Sequence, residues 1–338
     1  MEPVIVAKVF RGETLESVHR GHLVVMTGDG KIIHTLGDPE LVTYFRSAAK
    51  PFQALPMIVS GAADHFGFTD DEIGMACASH SGEHFHVEVV ARMLGKIGCT
   101  EAELKCGTHL PFNEAEANRL LRSGEHATPL QNNCSGKHTG MLAFAEHIGA
   151  DLKRYDAIDN PIQQEILKTV AAFAELPLGE VRIGIDGCTA PNFAMPLSAM
   201  ARCFANLINP PDAFGEDVKS ACRRIVAAMR DHPRLIGGTE RLDTMIMEAA
   251  PGEVISKVGA EGVWLAAVLP NEKFTNGLAI ALKIDDGDDR RGRPVAAVEV
   301  LRQLKALPSD ALGELSPMPI KNRRGDLVGR VEASFELN

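Results

Sequence analysis

Strand-forming segments lie at both ends of this chain, and a long helical region separates them. Near the start, residues 4–8, 22–27 and 31–36 are short and apolar, and Gly28-Asp29-Gly30 provides a turn between the second and the third. Four further strand-like segments follow in the last third, at 254–258, 262–268, 278–284 and 328–335. This order predicts an α/β fold of the α+β type, in which a mixed, mainly antiparallel sheet contains both ends of the chain and packs against a helical layer.

Helical patterns fill the middle of the chain. Pro51 fits a first helical turn, because the N–H it lacks would have no partner there. Further helices are predicted at about 83–96, 134–147, 160–175, 197–207, 212–231, 239–249 and 293–306. No internal repeat or clear linker divides the sequence. We therefore expect residues 1–338 to form a single unit, with a mainly helical subregion at about 83–250.

Charge and cysteine content exclude several classes of function. The chain has 35 basic and 45 acidic residues, a net charge of −10, and its basic residues are scattered, so a nucleic-acid partner is not expected. No apolar run reaches about 18 residues and the N-terminus lacks a signal-peptide pattern, so no membrane association is expected. Seven cysteines, an odd number, favour reduced thiols and a cytoplasmic location.

Ser47 and Lys50 form the first candidate for catalysis. A spacing of three places both side chains on one face of a helical turn. A serine hydroxyl needs a base to become a nucleophile, and an unprotonated lysine amine can be that base. The pattern is also common by chance, and a helix-capping serine beside a solvated lysine would look the same.

Two later motifs add weight to the first. Ser79-His80-Ser81 ends the small apolar segment 73–78, and Lys257-Val258-Gly259 lies on a predicted strand. Ser-x-x-Lys, Ser-x-Ser and Lys-x-Gly follow one another as the active-site motifs do in penicillin-recognising serine hydrolases and related glutaminases. The Ser-Asp-Asn element of those enzymes is replaced here, and Val258 stands in place of the threonine of Lys-Thr-Gly. A β-lactam substrate is therefore not favoured.

A further cluster offers metal-ligating residues. Cys134 and His138 are one helical turn apart, and the segment containing Cys188 could complete a metal site. A buried structural cysteine behind a capping asparagine explains the same spacing equally well. The loop around Gly238 either lines a pocket or is a simple turn.

Taken together, these motifs resemble the rhizobial-type L-asparaginases of the asparaginase II family. The resemblance extends over nearly the whole chain. It includes the following blocks: Arg46-Ser47-Ala48-Ala49-Lys50-Pro51, Cys77-Ala78-Ser79-His80-Ser81, Asn133-Cys134-Ser135-Gly136-Lys137-His138, Asp186-Gly187-Cys188 and Lys257-Val258-Gly259. It implies a fold similar to that of the serine β-lactamases and glutaminases, and a single catalytic unit.

The resemblance also implies roles for individual residues. Two Ser–Lys tandems are expected, Ser47 with Lys50 and Ser79 with Lys257. A zinc site is implied at Cys134, Lys137 and Cys188, with His138 outside the ligand set, whereas spacing alone favours His138. Substrate contacts are expected from four residues: Arg46, His80, Asp186 and Gly238.

The implied activity is hydrolysis of L-asparagine to L-aspartate and ammonia by a cytoplasmic homodimer. The alternatives are a glutaminase, a penicillin-recognising serine hydrolase and a non-enzymatic metal-binding protein.

Overall fold

The apolar segments at the two ends of the chain form the strands of one antiparallel sheet. The computed structural model describes residues 1–337. Its strands are β1 Val4–Arg11, β2 Thr14–Thr27, β3 Ile32–Leu36, β4 Val42–Tyr44, β5 Arg182–Ile185, β6 Pro191–Pro196, β7 Val254–Val258, β8 Val263–Val268, β9 Leu278–Ile284, β10 Met318–Lys321 and β11 Leu327–Ala333.

The helices occupy the middle of the chain, with one more near its end. They are α1 Lys50–Val59, α2 Ala62–His65, α3 Asp70–Ala76, α4 His84–Lys96, α5 Glu114–Ser123, α6 Ser135–His147, α7 Pro161–Ala174, α8 Leu197–Ile208, α9 Glu216–Asp231, α10 Pro233–Ile236, α11 Leu242–Ala249 and α12 Gly292–Gln303. Within residues 1–337, no helix has the length and apolar character needed to cross a membrane.

The chain forms two compact units, each assembled from separate segments. The sheet unit contains residues 1–48, 195–209 and the described chain from 245 onward, and the helical unit contains residues 49–194 and 210–244. The prediction of one catalytic unit with a helical subregion at about 83–250 stays a prediction.

In the sheet unit, strands pair in the order β10-β11-β1-β2-β9-β8-β7, and β3 also pairs with β2. The pairings described for this sheet are antiparallel, and the first and last segments of the chain meet where Ala7 faces Ala333. Helix α8 packs on β2, β8 and β9, while α12 packs on β1, β9 and β11. Strands β7 and β8 are buried along their whole length, which explains the unbroken apolar sequence of β8, whereas β7 also buries Ser256 and Lys257.

In the helical unit, α6 lies in the core and is buried over most of its length. Helix α1 packs against α6, α7 and α9, and α3 packs against α4, α6 and α9. Gly136 permits the close approach of α6 to α3, because a Cβ at this position would lie 2.3 Å from the Met75 carbonyl oxygen. The packing of α6 on α3 fixes the start of α6, which carries Cys134 and Lys137.

The predicted fold class is confirmed, since the chain combines helices with a large antiparallel sheet. The predicted position of Ser47 just before a helix is also correct, with a 3₁₀ turn at Arg46–Ala49 leading into α1. The helices predicted at 212–231 and 239–249 begin later than expected, at Glu216 and Leu242. Turn and loop backbone occupies the first residues of both stretches.

Candidate active site

Lys50 is a buried lysine at the start of α1, with only 1% of its surface exposed. Its Nζ donates hydrogen bonds to the carbonyl oxygens of Ala78 at 2.7 Å and of Asn133 at 3.0 Å. Both acceptors are backbone groups from other parts of the helical unit. The amine is therefore held beside the residue that precedes Ser79.

Ser79 lies in the segment that follows α3 and is also buried. Its backbone N–H donates to the Ile236 carbonyl at 2.9 Å, which fixes the main chain. Its Oγ accepts a hydrogen bond from Asn133 Nδ2 at 3.0 Å. Lys50 and Ser79, two of the predicted catalytic residues, thus share Asn133 as a hydrogen-bond partner.

Asn133 is the residue of this site that the sequence did not identify. It stands in one of the family blocks without an assigned role, and the residue that fixes the turn into α6 is its neighbour. Asn132 Oδ1 accepts from the Cys134 N–H at 2.8 Å, and Asn132 Nδ2 donates to the Cys106 carbonyl at 2.9 Å. Because Asn132 makes these contacts, the Asn133 side chain is available for Ser79.

His80 is held within a hydrogen-bonded network of the helical unit. Its Nδ1 accepts from the Gly82 N–H at 3.1 Å, and its Nε2 lies 2.9 Å from Ser135 Oγ. Because Ser135 donates its own hydroxyl proton to the Leu130 carbonyl, Nε2 carries the proton of a neutral imidazole. The ring also stacks on that of His86, 4.8 Å away. The predicted contact between His80 and substrate stays a prediction.

Gly238 packs tightly beside the Ser79-His80-Ser81 motif. It has a φ of +118°, and a Cβ would lie 1.9 Å from Ser81 Oγ. Glu83 accepts hydrogen bonds from Ser81 Oγ at 2.7 Å and from Thr239 N at 2.8 Å. Burial raises the pKa of Glu83, but these bonds outweigh it and the net pKa lies below its usual value. The carboxylate therefore ties the Gly238 loop to the serine motif.

Cys134, Lys137 and Cys188 converge within the helical unit. Cys134 precedes α6, Lys137 lies in its first turn, and Cys188 lies in the loop of the β5–β6 hairpin. The Lys137 Nζ donates to Cys188 Sγ at 3.0 Å. The hairpin is closed by the Asp186 N–H on the Ala190 carbonyl at 3.0 Å, which places Asp186 and Cys188 in the same loop.

The charges in this cluster are strongly coupled. A hydrogen bond from Cys134 and the Lys137 ammonium lower the pKa of Cys188, whereas the same sulfur contact raises the pKa of Cys134. Burial lowers the pKa of Lys137, but the neighbouring sulfurs outweigh burial and the net pKa is raised. These shifts favour a thiolate at Cys188, a thiol at Cys134 and an ammonium at Lys137.

His138 borders the same cluster. Its Nδ1 lies 2.7 Å from the Tyr155 hydroxyl, and burial lowers its pKa so that the ring is neutral. The Nε2 atom is buried without a hydrogen bond of normal geometry, although Cys188 lies close enough to influence the ring. A buried nitrogen in this state close to the Cys188 sulfur is unusual, because buried polar atoms nearly always have partners.

The donor chemistry of this cluster fits zinc, which prefers four ligands drawn from sulfur and nitrogen. Two cysteine sulfurs are present, and Lys137 provides a nitrogen once it loses its proton. In the part of the chain from 1 to 337, no three His, Cys, Asp or Glu residues are arranged to hold a metal ion. The zinc site that the family resemblance implies adds Lys137 to the two cysteines, and it stays a prediction.

Ser47, Arg46 and Lys257 belong to the sheet unit. Arg46 opens the 3₁₀ turn with a φ of +54°, and Ser47 follows it. Lys257 is buried on β7, and its Nζ donates to the Val258 carbonyl at 3.2 Å. A Cβ at Gly259 would lie 2.9 Å from the Phe45 carbonyl oxygen, so the end of β7 packs against the segment before Ser47. The pairings of Ser47 with Lys50 and of Ser79 with Lys257 stay predictions.

Among solved structures, two similar chains are a glutaminase and a β-lactamase. The glutaminase, from Bacillus subtilis and in covalent complex with 5-oxo-L-norleucine, is 11% identical, with 84% of this chain and 86% of that chain covered and a TM-score of 0.40. The β-lactamase, from Burkholderia ambifaria, is 12% identical, with 86% and 95% covered and a TM-score of 0.40. Because both TM-scores are below 0.5, these similarities carry no argument about activity.

The family assignment comes from the sequence itself. A profile of the family described as L-asparaginase II matches residues 7–333. This match includes every residue proposed above for catalysis, substrate binding or metal binding, and it confirms the resemblance noted in the sequence. The chain therefore belongs to the L-asparaginase II family and is an amidohydrolase.

Proposed function

We propose that this protein hydrolyses the side-chain amide of L-asparagine to L-aspartate and ammonia. Family membership supports the amide substrate. The observation that carries the Ser–Lys mechanism is the position of Lys50, whose buried Nζ contacts the carbonyls of Ala78 and Asn133 while Asn133 binds Ser79. A buried amine beside a buried serine supports nucleophilic catalysis by a hydroxyl group.

The reaction proceeds in two halves. A serine oxygen attacks the amide carbon, and its proton passes to an unprotonated lysine amine. The tetrahedral intermediate collapses when the lysine returns the proton to the leaving nitrogen, and ammonia departs from an aspartyl ester. Water then attacks the ester, and the same lysine transfers a proton from the water to the serine oxygen. Aspartate is then released. Backbone N–H groups stabilise the oxyanion in both halves.

Four residues are proposed for the proton transfers. Ser47 and Ser79 are the candidate nucleophiles, and Lys50 and Lys257 are the candidate bases. Both lysines are buried, which removes the water that would otherwise compete for the amine. The tandem pairing follows from the family resemblance, and the substitutions described below test it.

Zinc is proposed as the resident metal, held by Cys134, Lys137 and Cys188. When bound, it would supply a Lewis acid that polarises a nearby carbonyl or carboxylate. The residues themselves hold Asp186 in the same loop as Cys188, and Asp186 is proposed to bind the ammonium group of the substrate. Arg46 is proposed to orient the substrate carboxylate, and His80 and Gly238 to line its binding site. We further expect the protein to be cytoplasmic and to form a homodimer. Light scattering after gel filtration would test the homodimer.

The test is ammonia release from L-asparagine, measured for wild type and for S47A and S79A. We expect the variant that lacks the nucleophile to lose about 10³-fold or more in kcat/KM. Ser123→Ala is the matched control, because this serine lies at the end of α5, where it bonds the Leu120 carbonyl and Glu125 and none of the candidate catalytic residues. Near-normal hydrolysis by both active-site variants would overturn the Ser–Lys mechanism.

Substrate class is tested in the same assay. L-Glutamine and the β-lactam nitrocefin serve as competing substrates. Faster ammonia release from glutamine would indicate a glutaminase, and nitrocefin cleavage would indicate a penicillin-recognising hydrolase. Zinc binding without any hydrolysis, unaffected by K50A, would indicate a metal-binding protein.

A further inference from the structure

We propose that Asn133 is a positioning residue that fixes the hydroxyl oxygen of Ser79 and the amine of Lys50 in one arrangement. The proposal rests on the proposed amide hydrolysis. It links a serine and a lysine that the sequence assigned to different Ser–Lys pairs.

Asn133 contacts Ser79 with its side chain and Lys50 with its backbone, and its Oδ1 lies 3.1 Å from His109 Nε2. Its Nδ2 donates to Ser79 Oγ at 3.0 Å, and its carbonyl oxygen accepts from Lys50 Nζ at 3.0 Å. Lys50 also donates to the carbonyl of Ala78, the residue before Ser79, at 2.7 Å. Lys50, Ala78-Ser79 and Asn133 therefore form a closed set of contacts, in which movement of one group displaces the others.

The chemistry of an asparagine amide suits this position. Donation from Nδ2 occupies a lone pair of Ser79 Oγ and leaves the serine proton free to point at a base. A donor aimed at this oxygen also stabilises the negative charge that develops when the proton leaves. An aspartate of the same shape would offer the serine only acceptors and would repel that charge.

The backbone of Asn133 is itself held in place. Its N–H donates to His109 Nε2 at 3.1 Å, and the His109 ring stacks on Phe112 with centroids 4.6 Å apart. The His109 Nδ1 lies 2.7 Å from the Leu110 carbonyl. These contacts come from the loop before α5, so the amide reaches Ser79 from a supported main chain.

The first test compares the kinetics of N133A and N133D with wild type on L-asparagine. We expect kcat to fall by roughly 10²-fold in N133A and further in N133D, with KM changed by less than about threefold, because the lost contact is to a candidate nucleophile and not to the substrate. N133D keeps the shape of the side chain, so it remains informative if N133A does not fold. Unchanged kcat in a folded N133D would overturn the proposal.

The matched control is N160A. Asn160 caps α7 through its Oδ1 and the Ile162 N–H at 3.1 Å, and it is as buried as Ser79. We expect N160A to lower the melting temperature and to keep the wild-type kcat. An equal loss of kcat in N160A would show that replacing another asparagine of the helical unit lowers kcat just as much. That result would overturn the positioning role.

A second measurement separates failure of this proposal from failure of the proposed function. A fluorophosphonate probe reacts with an activated serine whatever the natural substrate, and mass spectrometry of the labelled peptides reports Ser79 directly. We expect Ser79 to be labelled at least about tenfold more slowly in N133D than in wild type. If wild type does not hydrolyse asparagine but this difference holds, only the proposed substrate fails. Equal labelling rates, or no labelling of Ser79 in wild type, would overturn the positioning role.

Discussion

Cys188 shows how strongly single residues of this site depend on their neighbours. Its sulfur accepts a hydrogen bond from the Lys137 ammonium at 3.0 Å and contacts Cys134. The pKa of Cys188 is therefore lowered, while that of Cys134 is raised. A metal that enters this cluster must displace protons from Cys134 and Lys137, so zinc affinity should increase with pH.

We expect C188S and K137A to lose bound zinc, because each removes one of three proposed ligands. We expect C99S to retain zinc, since Cys99 lies just after α4 and is not one of the three proposed ligands. Metal content per chain, measured by mass spectrometry after dialysis, checks both expectations. Equal zinc content in wild type and C188S would contradict the proposed site.

At the scale of single residues, the sequence identified candidate site residues by their type and motif. It could not identify the hydrogen-bond partners of these residues. Ser79, Lys50 and Cys188 stand in recognisable motifs. Asn133 stands in a family block too, but the sequence assigned it no role, because its role depends on Ser79 and Lys50, which are 54 and 83 positions away in the chain. Only folding brings these groups together, and no local pattern records it.

Among the elements, α3 is anchored to α4 by a buried carboxylate. Glu72 closes a capping box at the start of α3 and also accepts hydrogen bonds from Arg92 at 2.8 Å and Lys96 at 2.6 Å. Burial raises the pKa of Glu72, but these bonds together outweigh it and the net pKa is lowered. Because α3 leads directly to Ser79, this anchor also supports the active site.

The lowered pKa makes the stability of the protein depend on pH. A group with a lowered pKa stabilises the folded state above its unfolded pKa, about 4.3 for glutamate, and loses that contribution as pH falls through the folded pKa. We expect E72Q to lower the free energy of unfolding at pH 7 by about 2 kcal/mol. The difference from wild type should shrink progressively below about pH 4.3.

Urea unfolding at several pH values measures this difference. Glu88→Gln on α4 is the matched control, since its carboxylate is largely exposed and pairs only with His84 on the same helix. We expect this control to change stability by less than about 0.5 kcal/mol at every pH. A constant difference between E72Q and wild type from pH 3 to pH 7 would contradict the assigned role.

Most of the longer elements could be predicted, because apolar periodicity is a local property. Strands β7, β8 and β9 and helices α4, α6 and α7 lie within one or two residues of their predicted bounds. Strands β5 and β6 and helix α3 were not predicted as elements. Strand β5 has only four residues, β6 begins and ends with proline, which is disfavoured in strands, and α3 has only seven residues, about two helical turns. The sequence Thr69-Asp70-Asp71-Glu72 does carry a capping signal that could have located α3.

For the whole molecule, the sheet unit is completed by the two ends of the chain. Strand β1 lies between β2 and β11, and a small core of Ala7, Val9, Val295 and Val331 holds these strands against α12. The pairing of terminal strands follows from the order of elements. The division into two interleaved units does not, because each unit is built from separate segments with no linker between them.

We expect V331A to destabilise the whole protein by about 2 kcal/mol, because it leaves a cavity in the core that joins both termini. Leu327→Ala on the same strand is the control, since Leu327 is 69% exposed and should change stability by less than about 0.5 kcal/mol. Chemical denaturation followed by circular dichroism compares the two. Equal effects of both substitutions would show that β11 does not anchor the sheet.

The contact between Cys134 and Cys188 has a consequence for handling the protein. Neither thiol forms a disulfide, and the two side chains share a hydrogen bond. Exposure to dissolved oxygen or peroxide can therefore join the two sulfurs covalently, with loss of two protons and two electrons to the oxidant. A preparation stored without reductant would then be lighter by two hydrogen atoms and unable to take up metal. Adding a thiol reagent such as dithiothreitol would restore the original mass and the uptake of metal.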